Sequence, residues 1–267
     1  MRPDTRSPWV WLPPALSLAL LAAIAAGAAN RSVFLLLNRL GHPLGDAFWL
    51  HLTLLGDGAV ALALLLPAIR RSPQCFWAAL LAGLFAALWV QVLKQAVSVP
   101  RPLAVLPPGL FFQSGPAYRA VSFPSGHAAA SFAVAGIWIM TLPGRNWMRA
   151  ALLALAVLVS LSRVMVGVHW PIDILWGMLG GWLGAWTGLT LYARYQWKTD
   201  GRGGFLAGLL LLLVATALLF SHHVQIPEVL PFQHALGAIC LAWGAGEMFL
   251  MLPRMNLRRP TKGEFDG

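Results

Sequence analysis

Charge is scarce in this chain, and acidic charge scarcest: nine Asp and Glu stand among 267 residues, and all charged types together make up 10%. A water-soluble domain carries roughly 25%, so this composition excludes a solvated globular surface. No cluster of carboxylates exists to hold a hard divalent cation, and neither a metal nor a cofactor is expected. Cys75 and Cys240 are too few for a disulfide framework, and no bridge between them is expected. Long repeats and low-complexity segments are lacking too. Apolar residues are abundant instead, at 58% of the chain.

Apolar runs of about 17–25 residues can cross a bilayer as helices. Such runs lie near 9–29, 48–69, 75–98, 127–143, 148–166, 171–195, 204–221 and 231–252. They predict an all-α polytopic membrane bundle of eight helices with little chain left for a soluble domain. Arg2 and Arg6 before the first run, with Ala26-Gly27-Ala28 after it, resemble a secretory signal. The run is as long as a spanning helix, however, and a retained first helix is the expectation.

The net charge of +10 could suggest nucleic acid, but its distribution excludes that partner. With the N-terminus inside, one side holds Arg2, Arg6, Arg70, Arg71, Arg145, Arg149, Arg194, Lys198, Arg202, Arg254, Arg258, Arg259 and Lys262, 13 of the 19 Lys and Arg. The other keeps Arg31, Arg39 and Arg119, with Lys94, Arg101 and Arg163. This is the positive-inside bias, and it predicts cytoplasmic termini. Trp9, Trp11, Trp49, Trp77, Trp147, Trp170 and Trp197 fall near helix ends, where indole rings anchor at the headgroup level.

Three polar islands interrupt the apolar chain, and all three fall at the non-cytoplasmic ends of their helices. In the first, Lys94 precedes Arg101 by seven residues, with Pro100 and Pro102 flanking the arginine. Pro100 ends the helix nearby, leaving a point charge and a planar fork of donors, a pair suited to a phosphoryl group. Alone, the island reads equally well as a snorkelling Lys and an interfacial Arg. In the second, Ser125 N-caps a helix that opens with Gly126 and His127. Unpaired N–H groups and the helix dipole make such an end a seat for an anion, although an ordinary capped start with an interfacial His would look the same. In the third, Arg163, His169 and Asp173 are spaced by six and four residues, and Pro171 suits the first turn of a new helix. At i and i+4, Asp173 can reach the His169 ring, fix its tautomer and sharpen the other nitrogen as a nucleophile. A structural His–Asp cap is the alternative. Intramembrane ionisable groups are costly unless they function, and three bland explanations would have to coincide on one face.

In that order, K-x6-R-P, P-S-G-H and S-R-x5-H-x3-D resemble the signature of the type 2 phosphatidic acid phosphatase and vanadium haloperoxidase superfamily, in its bacterial integral-membrane lipid phosphatase branch. The fixed positions are Lys94, Arg101, Pro102, Pro124, Ser125, Gly126, His127, Ser162, Arg163, His169 and Asp173. The resemblance covers about residues 45–195. It implies a six-helix phosphatase core, assigned to residues 1–198, with a two-helix membrane extension and basic tail in 199–267. It further implies metal-independent hydrolysis: His169 attacks phosphorus, Asp173 orients it, His127 serves the leaving oxygen, and Lys94, Arg101, Ser125, Gly126 and Arg163 hold the phosphate. The expected enzyme lies in a bacterial inner membrane with its active site periplasmic. Undecaprenyl diphosphate is the favoured substrate. Phosphatidylglycerophosphate, phosphatidic acid, lipid A and phosphotransfer to another lipid are alternatives that use the same residues. A catalytically silent lipid-binding or transport protein is the non-enzyme reading.

The remaining features read more simply. Gly177, Gly181, Gly184 and Gly188 fit close helix packing; Asp57, an intramembrane acid and so a site candidate by default, reads rather as a structural hydrogen bond. Glu247 is expected to snorkel, and His222 and His223 to lie in an outer loop. The apolar, Pro-rich stretch Leu103–Phe123 reads either as an interfacial entry for lipid tails or as a packed cap.

Overall fold

A computed structural model describes residues 3–142, 144–198 and 201–252. Arg2, Arg254, Arg258, Arg259 and Lys262 of the charge argument lie outside the described residues. The helices are α1 Pro8–Ala26, α2 Asn30–Gly41, α3 Asp46–Leu54, α4 Gly58–Ala63, α5 Ala68–Arg71, α6 Pro73–Ala96, α7 Pro102–Val105, α8 Gly126–Thr141, α9 Asn146–Met165, α10 Pro171–Tyr195, α11 Arg202–Phe220 and α12 Leu230–Phe249. Five of them, α1, α6, α9, α11 and α12 with the turn before it, are long and apolar enough to cross a membrane by length and composition. Among the described residues the fold is all-α, with α11 and α12 packed against α4 outside the α6–α8–α10 centre.

The centre of the bundle is α10, packed along α6 on one side and α8 on the other. The glycine ladder makes this possible. A Cβ at Gly181 would meet the Ala129 carbonyl, with Ala133 N at 2.8 Å, and one at Gly188 would meet the Ala78 carbonyl. Backbones approach here as closely as small residues allow. Since α6 and α9 end where α8 and α10 begin, all three polar islands emerge at one end of the bundle. Arg70, Arg71, Arg145, Arg149, Arg194 and Lys198 gather at the other.

The expected continuous helix over 48–69 is the main correction. It is split into α3, α4 and α5, because apolar length says nothing about caps. At the first break Asp57 takes an extended conformation, and its carboxylate accepts the Ala59 and Val60 amides, starting a new helix. Pro67 stands at the N-cap of α5. A second departure is α2, an amphipathic helix that buries Phe34 and Asn38 while leaving Leu36 and Leu40 outside.

Other expectations shift in detail. Trp49 and Trp170 are buried, donating to the carbonyls of Gly41 (2.7 Å) and Pro100 (2.8 Å), so they fasten the protein to itself. Trp11 and Trp147 are exposed, as an anchor requires. Glu247 does not snorkel: it is buried and paired with Arg70 Nε and Arg71 Nε, both at 2.6 Å. The Leu103–Phe123 stretch is anchored at its middle and open around it, with Val105, Leu110, Phe112 and Tyr118 exposed. Asn38 grips both Phe112 backbone groups, at 2.8 and 2.9 Å, and the Phe111 ring meets Phe34 at 5.3 Å. Cys75 and Cys240 are free, buried thiols.

Candidate active site

Each island is placed by a local device. In the first, Pro100 forms an isolated antiparallel bridge with Val121 beyond the end of α6. This leaves Lys94 half-buried on the last turn of α6 and Arg101 at the N-cap of α7. In the second, Ser125 caps α8 by accepting the Ala128 amide at 3.4 Å. A Cβ built on Gly126 would touch only Val90, at 3.9 Å, so the backbone there is open to close approach. In the third, α9 ends in a tight turn whose Val168 and His169 amides both donate to the Arg163 carbonyl. Gly167 makes that turn at φ +77°, and a side chain there would strike the Phe112 carbonyl and the Phe111 ring.

Backbone and side-chain bonds then draw the islands together. Ser125 N donates to the Asp173 carbonyl at 3.0 Å, joining the second island to the third. Arg101 Nη1 donates to the Val168 carbonyl at 3.0 Å, joining the first. His169 Nδ1 lies 3.3 Å from Asp173 Oδ2, and the same oxygen accepts the Trp170 amide at 2.8 Å. With Nδ1 turned to the carboxylate, His169 Nε2 is the nitrogen left for chemistry. His127 lies within Coulombic reach of His169 and of Arg163, Arg101 and Lys94. The structure therefore gathers all eight residues named from the sequence at one end of the bundle.

His169 sits in the turn between two helices and is buried. Burial, reinforced by the cations Arg163, Arg101 and Lys94, holds its pKa well below 6.5. Burial and these cations thus favour the neutral imidazole over the imidazolium.

The sequence did not single out two participants. Ser122 is fully buried; its hydroxyl donates to Asp173 Oδ2 and lies 3.3 Å from His169 Nδ1. Thr53, on α3, accepts from Arg163 Nη1 at 2.7 Å. A lone hydroxyl in an apolar run carries no spacing signal. For Ser122, its place three residues before Ser125 was the one available hint. Tyr118 adds its ring beneath Arg101, with the guanidinium carbon 5.0 Å from the centroid.

Beside the site, a cavity of about 520 Å³ runs between α4, α6 and α8. Leu62, Leu84, Val90, Ala130 and Val134 are typical of its lining, and His127 marks the end nearest the cations. From Gly126 to Val134 it follows α8 for about 12 Å, at 1.5 Å per residue. Among the described residues no group of His, Cys, Asp and Glu is arranged to hold a metal ion.

These features are those of a membrane-embedded anion pocket built around a His–Asp pair. A family model described as the PAP2 superfamily matches residues 74–198, which contain all eight site residues. The chain belongs to that superfamily and is a multi-pass membrane protein. It is similar to the crystal structure of Aquifex aeolicus LpxE, at 30% identity and a TM-score of 0.53 over 60% of this chain and 94% of that one. It is 29% identical to the lipid A 1-phosphatase of Rhizobium etli over 67% of this chain and 81% of that protein. It is 38% identical to the undecaprenyl-diphosphatase of Sulfolobus acidocaldarius over 35% of this chain and 44% of that protein. The chain spans less than half the length of the undecaprenyl-diphosphatases it matches.

Proposed function

We propose that this protein is a lipid phosphatase that hydrolyses a phosphate monoester or diphosphate of a membrane lipid through a phosphohistidine. The observation that carries the reading is the buried His169–Asp173 pair, at 3.3 Å, with Arg101 bonded to the carbonyl of the preceding residue, Val168, at 3.0 Å. Nε2 attacks phosphorus while the bond from phosphorus to the lipid oxygen breaks, and His127 delivers a proton to that oxygen. Water then attacks the phosphohistidine and gives its proton back to His127, and phosphate leaves. Asp173 holds the Nδ1 proton throughout. Lys94, Arg101, Arg163, Ser125 and the Gly126 amide hold the non-bridging oxygens, where preorganised donors count most.

The cavity supports a lipid substrate. His127 serves the leaving oxygen, so the lipid must depart on the His127 side, where the apolar groove between α4, α6 and α8 begins. Tail entry is assigned to this groove because its apolar lining begins at Gly126 and His127 themselves. Undecaprenyl diphosphate remains the first substrate, supported by the matches to undecaprenyl-diphosphatases. Lipid A 1-phosphate is the second reading, favoured by the longer match to the Rhizobium etli enzyme. The basic residues of the described loops support an outward, periplasmic site in an inner membrane with the N-terminus inside.

Phosphate release should be measured from a panel of lipid phosphates and diphosphates without an acceptor lipid. His169→Ala should lose all turnover and Asp173→Ala about 10²–10⁴ of it, with both proteins folded. An active, purified His169→Ala enzyme would refute the mechanism. Phosphate release that requires an acceptor lipid would replace hydrolase by phosphotransferase.

A further inference from the structure

The family match begins at residue 74, after the split span of α3, α4 and α5, and ends at residue 198, before α11 and α12. Both flanking regions nevertheless reach the anion pocket, and they do so through one another.

Thr53 is the first link. Hydroxyls elsewhere in these helices bond the carbonyl one turn back, as Ser131, Thr141, Ser160 and Thr190 do. Thr53 instead accepts from Arg163 Nη1 at 2.7 Å, and both side chains are buried. That bond fixes one arm of the guanidinium. Arg163 Nε is buried without a protein acceptor among the described residues, so beside the arm that Thr53 fixes the guanidinium keeps a donor no side chain takes up. An arginine that recognises phosphate side-on must be held in rotation about its long side chain, and Thr53 is the group that holds it.

The break after α3 is the second link. Gly56 lies so close to the site that a Cβ there would come within 3.1 Å of His127 Cβ and 2.8 Å of Val159 Cγ1. Asp57, next in the chain, caps α4 with Oδ1, at 2.9 Å from Ala59 N, and the same oxygen meets His223 Nε2 at 3.1 Å. His223 belongs to the loop between α11 and α12. The two extension helices pack along α4 and α5, and Leu66 sits against Gly244. At the far end Glu247 of α12 binds Arg70 and Arg71. A broken helix lacks the continuous hydrogen-bond ladder that would keep it straight, and the extension clasps it at both ends.

We infer that the split span is a fourth component of the phosphate site, with Thr53 the positioning residue for Arg163 and the two-helix extension the brace that keeps Thr53 in register. This rests on the assignment of Arg163 to phosphate binding. Inhibition by orthovanadate, kcat, KM and thermal stability should be measured together in the full chain. Thr53→Val, which keeps shape and removes the hydroxyl, should weaken orthovanadate inhibition and lower kcat by about tenfold each, the worth of a hydrogen bond to a charged group. Thr53→Ser should restore both. The exposed His223→Ala should move the same two quantities by about two- to threefold with Tm nearly unchanged. Wild-type orthovanadate inhibition in Thr53→Val, or in His223→Ala should Thr53→Val fail to fold, overturns the inference. Arg163→Ala separates the two levels: if it binds orthovanadate as wild type does, the phosphate-site assignment itself fails. If only Arg163→Ala loses the anion, the assignment stands and the brace is wrong.

Discussion

Two seams hold this bundle, and they are built on different physics. Along α10, glycines bring backbone against backbone: Gly181 on Ala129 and Ala133, Gly188 on Ala78. Between the split span and the extension, the glycine at position 244 faces the side chain of Leu66, and the ends of the seam are fixed by charge, through Asp57–His223 and Arg70/Arg71–Glu247. Backbone cannot yield, whereas two of the three Leu66 atoms that a Cβ at Gly244 would meet are methyls a rotamer change can move, the third being its Cβ at 3.0 Å. The inner seam is therefore rigid, and it carries the His169–Asp173 pair at its end. The outer seam is adjustable and fixes an arginine.

The sharpest way to break this comparison is a single methyl on each seam. Gly181→Ala should cost more than about 3 kcal/mol, since overpacking meets only backbone and a side chain's first atom, while Gly244→Ala should cost about 1 kcal/mol. Thermal unfolding in one detergent checks both, and equal losses would erase the distinction. Next in size is Glu247→Gln, which strips the charge from the inner end of the outer seam. It should destabilise by about 2 kcal/mol, less than the 3–5 kcal/mol of a fully buried pair because the Arg71 side chain is 60% exposed. An unchanged Tm would mean the clasp contributes nothing. The smallest effect is electrostatic. Because burial and cations depress the His169 pKa, its ring should remain neutral in an NMR titration as pH falls through 6.5. Below that pH the unfolded chain binds the proton that the folded chain refuses, so stability should decline on acidification. A His169 titration at or above 6.5 would contradict the buried, cation-ringed setting.

Much of the site was legible because its chemistry is local. Lys94–Arg101, Ser125–His127 and His169–Asp173 are each set by spacing within a helical turn or two, and helix ends follow from proline, capping residues and charge. Thr53 and Ser122 were not legible as partners, since each acts on a residue 110 or 51 positions away and no spacing pattern links it to that residue. The 48–69 run misled for a related reason: hydropathy counts apolar atoms, but a single capping carboxylate at Asp57 decides where a helix restarts. The tryptophans divide the same way. An indole near a helix end is either an anchor or a fastener, and only its neighbours tell which.

By itself the sequence determined that this chain lives in a membrane, how many apolar segments it has, which way its charges bias it, and which ionisable groups cluster at one face. Those properties follow from the cost of burying charge and from helical periodicity, and both act over short stretches of chain. Tertiary structure alone decided that one span is split, that a distant threonine holds Arg163, and that the last two helices clasp the split span at both ends. These depend on contacts between segments far apart in the chain, where geometry, not composition, selects the partner.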